Sequence, residues 1–350
     1  MNCLRVLRIS QQSSTNCYIP SQQQYRAFKR LIENESKKIG RKPKQKKGDV
    51  VEANFEPSSL EHFQVRFRED VKVPLRKLFK PFAFACVVTG SSFAGAAIWQ
   101  YEGMRSKAIS RALGQFNFFN TEKAGEFRQQ IHQWFSGLLG TQKVVLGIVA
   151  LNVGVFALWR LPFMQMFMVK WFSANPAANA VCIPMVLSTF SHYSLWHLAV
   201  NMYVLWTFSH SMERLFGKEQ FLAMYMSAGV WSSFSSHLLK VLTSKYNPSL
   251  GASGAIMAVL GSTCFQYPDA RLAIVFLPFF TFSAGTALKV LIGIESLGVV
   301  MRWAFFDHAA HLSGLLFGCY YAGDGYKRLW GNRIKMLEKW HEFREKPGKV

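Results

Sequence analysis

Gly251-Ala252-Ser253-Gly254-Ala255 sets a serine among small residues at the opening of an apolar run. The first N–H groups of a helix have no intrahelical acceptor. They can therefore stabilise an oxyanion formed when the Ser253 hydroxyl attacks a carbonyl. The nucleophile elbow of soluble hydrolases needs G-x-S-x-G, and Ala255 in the last position does not support that fold. The same stretch also suits a plain helix contact, because Gly254, Ala258 and Gly261 recur at helical spacing and small residues let a second helix come close. His197 and Asn201 stand four apart, on one helix face. Both can donate to developing negative charge, or simply bond one helix to another. In Asp307-His308-Ala309-Ala310-His311, the last residue shares a face with Gly314 and Gly318. That face is a groove floor against which another helix can press, with His311 brought to the partner. Ser253 with His311 as general base, the imidazole held by packing rather than by an aspartate, makes a plausible dyad; an interhelical donor is the plainer use of His311. Together the three clusters contain a nucleophile, a base and oxyanion donors.

Apolar helices must position them. Half of the 350 residues are hydrophobic and only 17% are charged, against a net charge of +21. So much apolar surface excludes a disordered chain. The basic excess lies at the ends. Residues 1–81 hold 18 Lys/Arg against 8 acids and 324–350 hold 8 against 4, while the 242 residues between carry 15 against 8. A membrane span needs roughly 20 mostly apolar residues. Seven runs approach this, at about 82–99, 144–159, 195–208, 221–242, 250–265, 284–301 and 308–322, the first standing apart from a compact group of six. Several carry polar residues: His197 and Asn201, Ser253, Lys289 and Glu295, His308 and His311. Such groups face a bundle interior, where they pair or perform a function. Residues 160–189, with Phe163, Met164, Phe167 and Trp171, read as a segment lying in the interface.

No zinc-finger spacing or basic helical stripe supports nucleic-acid binding. The six cysteines are scattered without a CxxC, so neither a disulfide framework nor a metal site is implied. Residues 1–32 contain no acid, hold Arg5, Arg8, Arg26, Lys29 and Arg30, and are rich in Ser and Gln. That is the composition of a mitochondrial transit peptide. The stretch 33–80, with Arg41-Lys42-Pro43-Lys44, reads as a basic polar linker on the matrix side.

The sequence resembles the rhomboid intramembrane serine proteases. The resemblance rests on His197 and Asn201 (H-x-x-x-N), Gly251 to Gly254 (G-x-S-G), Ala310, His311, Gly314 and Gly318 (A-H-x-x-G-x-x-x-G), and Glu213 with Gly217 (E-x-x-x-G), in that family's order. The stretches 250–257, 271–289 and 305–318, with the run ahead of the group of six, look like its mitochondrial presenilin-associated rhomboid-like branch. The resemblance implies an all-α polytopic membrane protein, a six-helix core at 143–323 with one extra transmembrane helix at 81–101 (1+6), joined by a loop at 102–142 and followed by a basic C-terminal tail at 324–350. It implies a multi-pass protein of the mitochondrial inner membrane and substrates that are single-pass transmembrane proteins, with roles in quality control, dynamics or apoptosis and without a cofactor. Ser253 would be the nucleophile and His311 the base and later acid. His197, Asn201 and the Ser253 backbone N–H would serve the oxyanion, and no aspartate is required. The alternative is a catalytically silent relative that binds transmembrane helices. One departure stands out: many bacterial members carry a Tyr four residues after the serine, stacked on the histidine, where this chain has Met257. Glu295 and Lys289 receive no role.

A helical peptide bond is shielded by its own hydrogen bonds, so a transmembrane substrate must unwind to present its carbonyl. A single-span reporter with Gly, Pro or small residues at the scissile bond should be cut more slowly when these are changed to Leu. Unchanged cleavage, read by gel, counts against the unwinding requirement.

Overall fold

The computed structural model describes residues 72–112, 125–274, 277–303 and 305–345. The proposed transit segment and residues 33–71 of the linker lie outside these residues.

Each of the seven apolar runs coincides largely with a helix. α1 (Phe79–Ala112) enters from Pro74 through a 3₁₀ turn. α2 (Glu126–Gly137) precedes α3 (Gly140–Leu158). Two short helices, α4 (Gln165–Phe172) and α5 (Cys182–Leu187), occupy the long connection and leave Phe163, Met166 and Ile183 exposed. α6 (Leu195–Leu215) and α7 (Gly217–Thr243) follow, then α8 (Ser253–Gln266). A hairpin of β1 (Arg271–Ile274) and β2 (Leu277–Ser283) leads to α9 (Ala284–Met301) and α10 (His308–Tyr320). A short α11 (Tyr326–Leu329) and α12 (Arg333–Glu345) end the described chain. By length and composition, Leu75–Arg111, Gly140–Leu158 and Ala284–Met301 are long and apolar enough to cross a membrane. The other four runs are more polar or shorter.

Three expectations need correcting. The stretch 102–142 is not a plain loop, because α1 continues to Ala112 and α2 fills 126–137. α2 escapes a search for unbroken apolar runs: its Phe127, Ile131, Trp134 and Phe135 recur at i, i+4, i+7 and i+8 and all are exposed. The fold is not wholly helical, since Arg271–Ser283 pairs as an antiparallel hairpin whose Phe279 and Phe280 stand exposed. The C-terminal segment is not merely a tail. α12 docks on the far end of α1, where Glu102 accepts from Arg344 (2.7 Å) and from the Trp340 indole (3.0 Å).

Helix directions follow from ring contacts. Phe82 meets Trp231 and Phe234 at one end of α1, and Lys218 lies over Trp99 toward the other, so α1 and α7 are antiparallel. α6 and α7 reverse at Gly217, whose φ of +73° suits glycine. Just before that turn, Glu213 Oε2 accepts from the Thr141 amide at 2.5 Å and caps α3. The core is built on α6, α7 and α8, with Leu205, Met212, Phe221, Met224, Tyr225 and Val259 buried.

The closest approach joins α8 and α10. A Cβ on Gly314 would sit 1.9 Å from the Gly254 carbonyl oxygen, on Gly318 2.1 Å from that of Ala258, and on Gly261 2.3 Å from that of Leu315. Backbone therefore lies directly on backbone, as small residues permit. Gly314→Ala must push the two helices apart and should destabilise the protein by about 1–3 kcal/mol. Gly147→Ala, with nothing within 4 Å of its new methyl, should not. Thermal denaturation of the two variants checks this, and equal midpoints would refute the tight contact.

Candidate active site

Ser253 opens α8 and His311 lies in the first turn of α10, so the glycine contact brings them together. The Ser253 hydroxyl is 2.8 Å from His311 Nε2. His311 Nδ1 lies 3.1 Å from Glu295 Oε1, on α9. The line is hydroxyl, imidazole, carboxylate. With the proton on Nδ1 donated to Glu295, Nε2 is left to accept from the serine, the tautomer a general base requires. His311 is therefore not held by packing alone. The sequence assigned Glu295 no role, because only tertiary packing reveals that it faces His311.

Glu295 serves a second histidine: its Oε2 is 2.6 Å from His308 Nδ1. Glu295 is 5% exposed and His308 4%. A carboxylate so buried needs hydrogen-bonded partners, and the two imidazoles provide them. His308 is ringed by Trp303, Phe305 and Phe306. Phe306 also lies against the His311 ring, with centroids 6.0 Å apart. It supplies an aromatic neighbour although the position four after the serine is Met257.

Local backbone explains the serine's setting. Gly251 has φ +134°, and a Cβ there would come within 2.8 Å of His197 Cε1. Both conformation and space therefore demand glycine. The Gly251 amide donates to Ser188 O at 2.9 Å. As first residue of α8, Ser253 has an amide without an intrahelical acceptor. A Cβ on Gly254 would meet Ser232 at 2.5 Å, so α7 also bears on this turn.

The proposed oxyanion donors fare differently. His197 lines the same cavity as Ser253 and His311. Asn201 is buried, and its amide donates to the His197 carbonyl oxygen (2.8 Å) while facing His192 Nε2 (3.2 Å). A side chain that bonds back to the i−4 carbonyl is turned along its own helix, so the structure engages this amide away from the cavity. His192 was not singled out from the sequence. Its Nε2 accepts from the Ala252 amide at 3.3 Å, so it supports the residue before Ser253. Burial, then the neighbouring His197, lowers its pKa to about 3, leaving it neutral and able to accept. A histidine five residues before His197 was the only available signal.

The cavity measures about 690 Å³. Trp196, Trp303, Phe305 and Phe306 give it apolar walls, and Lys240 and Asp307 a polar floor. Among the described residues, no cluster of three or more His, Cys, Asp or Glu is placed to hold a metal ion. Such a site can activate a hydroxyl by general-base catalysis beside an apolar segment. Glu295→Gln keeps the shape but weakens the tautomer preference. It should slow labelling of Ser253 by a fluorophosphonate roughly 100-fold or more without loss of helical circular dichroism. Wild-type labelling rates in this variant would exclude a role for the carboxylate.

Residues 180–326 match the Rhomboid domain. The chain is 50% identical over 275 residues to the mitochondrial presenilin-associated rhomboid-like protein of Homo sapiens, covering 77% of this chain and 73% of that protein. The Bos taurus relative matches over the same shares at the same identity. Rhomboid protein 1, mitochondrial, of Saccharomyces cerevisiae is 33% identical over 182 residues, covering 51% of this chain and 52% of that protein. With half the aligned residues shared over most of both chains, this protein belongs to the rhomboid family, in its mitochondrial presenilin-associated rhomboid-like branch.

Proposed function

We propose that this chain is an intramembrane serine protease of the mitochondrial inner membrane, hydrolysing peptide bonds in or near the transmembrane segments of other proteins. The observation that carries the proposal is the Ser253–His311–Glu295 line opening into a mostly apolar cavity. In this reading α1 is the extra span and α3, α6, α7, α8, α9 and α10 form the six-helix core. Ser253 and His311 lie at the end of the bundle where α1 begins, since the Val73 amide donates to Tyr246 just before α8. The basic excess ahead of α1 keeps that end on the matrix side, so the cavity opens toward the matrix. The relatives' mitochondrial names and the family's substrates suggest roles in quality control, dynamics or apoptosis.

The chemistry follows from the geometry. His311 Nε2 takes the Ser253 proton as Oγ attacks the scissile carbonyl. Glu295 stabilises the imidazolium that forms and holds its orientation. Negative charge on the carbonyl oxygen meets the Ser253 backbone N–H and the His197 ring. His311 then protonates the leaving amine, and the acyl-enzyme remains on Ser253. A water deprotonated by His311 attacks the ester, and the serine is released with its proton restored. The polar floor at Lys240 and Asp307 gives water a route that a sealed apolar core would deny.

A catalytically silent reading, in which the chain binds transmembrane helices without cutting, rests on the Asn201 amide being engaged away from the cavity. Reconstitution of the full chain in liposomes with a single-span reporter separates the two. Ser253→Ala and His311→Ala should each lower kcat by roughly 10⁴-fold or more. Reporter bound but uncut by wild type and both variants would select the silent reading.

A further inference from the structure

Outside the Ser253–His311–Glu295 line, one cluster of charged and hydroxyl groups joins three segments. Asp307 is the N-cap of α10, and its Oδ1 accepts from the Ala310 amide at 3.2 Å. Its Oδ2 accepts from Ser236 at 2.5 Å and also from Ser249. The Lys240 ammonium lies 3.6 Å from that oxygen and donates to Ser249. Ser236 and Lys240 share one face of α7 at i, i+4. Ser249 lies in the connection to α8, where its backbone exchanges two hydrogen bonds with Ala174. Burial alone would raise the Asp307 carboxyl, but Lys240, the two hydroxyls and the Ala310 amide hold it below the usual carboxylate range.

The spacing gives the cluster its meaning. Ser249 is four residues before Ser253, and Asp307 is four residues before His311. One carboxylate thus holds the connection that delivers the nucleophile and the helix start that delivers the base. Both are referred to α7, which carries Lys240. Among the described residues, none of these side chains hydrogen-bonds to Ser253 or His311; Asp307 meets His311 only through the backbone, its carbonyl oxygen accepting from the His311 amide at 3.0 Å. A displacement of about 1 Å in reacting groups can cost roughly 100-fold in rate, so a shared anchor has a direct kinetic consequence. A lone partly buried carboxylate would be poorly stabilised, and the ammonium supplies the compensating charge.

We infer that Asp307 and Lys240 are positioning residues, an ion-paired anchor that holds the segment carrying Ser253 and the helix carrying His311 in mutual register. The inference rests on the proteolysis proposed above.

The test uses the full chain in phosphatidylcholine liposomes with the single-span reporter, comparing wild type with Lys240→Met, Lys240→Arg, Asp307→Asn and the Met/Asn double variant. Lys327→Met, from the exposed pair with Asp324, serves as the remote control. Asparagine still caps a helix, so Asp307→Asn preserves α10 while removing the charge. Lys240→Met and Asp307→Asn should each lower kcat roughly 10- to 100-fold, with KM within about twofold of wild type. Lys240→Arg should recover most of the loss, and the double variant should be little worse than either single one. Amide hydrogen exchange supplies a reading that needs no turnover. In Lys240→Met, amides of 249–253 and 307–311 should lose protection together. A raised KM at unchanged kcat would overturn the inference by making the cluster a substrate contact. Wild-type kcat per folded molecule, or lost protection in only one segment, would overturn it by making the cluster a local structural pair. If wild type cuts no faster than Ser253→Ala, the proteolysis proposal fails, and the exchange pattern still decides whether the anchor exists.

Discussion

The site depends on the absence of side chains between two helices. Gly254, Gly261, Gly314 and Gly318 allow α8 and α10 to meet backbone to backbone. Ser253 begins one helix and His311 lies in the first turn of the other, so the distance between the two side chains is set by how far the two backbones can approach. Little else needs to be specified locally. The cost is conformational, since glycine weakens a helix by roughly 1 kcal/mol relative to alanine. Burial of the contact against α7 offsets it. In lipid, where apolar burial gives little drive for helix association, close packing is one of the few remaining attractions.

Charge in an apolar bundle imposes a second constraint. Glu295 has both carboxylate oxygens against imidazoles, and Asp307 has backbone, hydroxyl and ammonium partners. Neither acid is left without compensation. The two acids divide the work by location. In the proposed mechanism Glu295 acts on the proton inventory of His311, while the inferred anchor at Asp307 acts on the placement of the segments around it. His192 shows the complementary device, a buried ring whose neutrality is what lets it accept from Ala252.

Much of this was legible in the sequence, and the parts that were not share a cause. The apolar runs located α1, α3 and α6 to α10 because composition over about 20 residues is a local signal. The facing of Ser253 and His311 was implied by small residues at helical spacing, since Gly314 and Gly318 mark the face on which His311 sits. Glu295 was invisible because its partners lie on another helix, and no spacing within α9 distinguishes it from a stray polar residue. The orientation of Asn201 was illegible for the same reason: its type allows donation into the cavity, but its bond to the His197 carbonyl is a matter of rotamer. The β1–β2 hairpin was hidden inside a stretch too apolar to show alternation. α2 was hidden because its apolar residues are periodic rather than continuous.

The seam between α12 and α1 has a temporal consequence. Glu102 and Arg344 are 242 positions apart in the chain. Loop-closure entropy makes so distant a contact costly to form, and it contributes only when nearly all the rest is in place. The seam therefore assembles last and frays first. A partly inserted chain can already hold its glycine-packed centre while its outermost helix is still unfastened. Maturation of the bundle then ends at its periphery, and loss of the last dozen residues acts on the lifetime of the folded chain rather than on its chemistry.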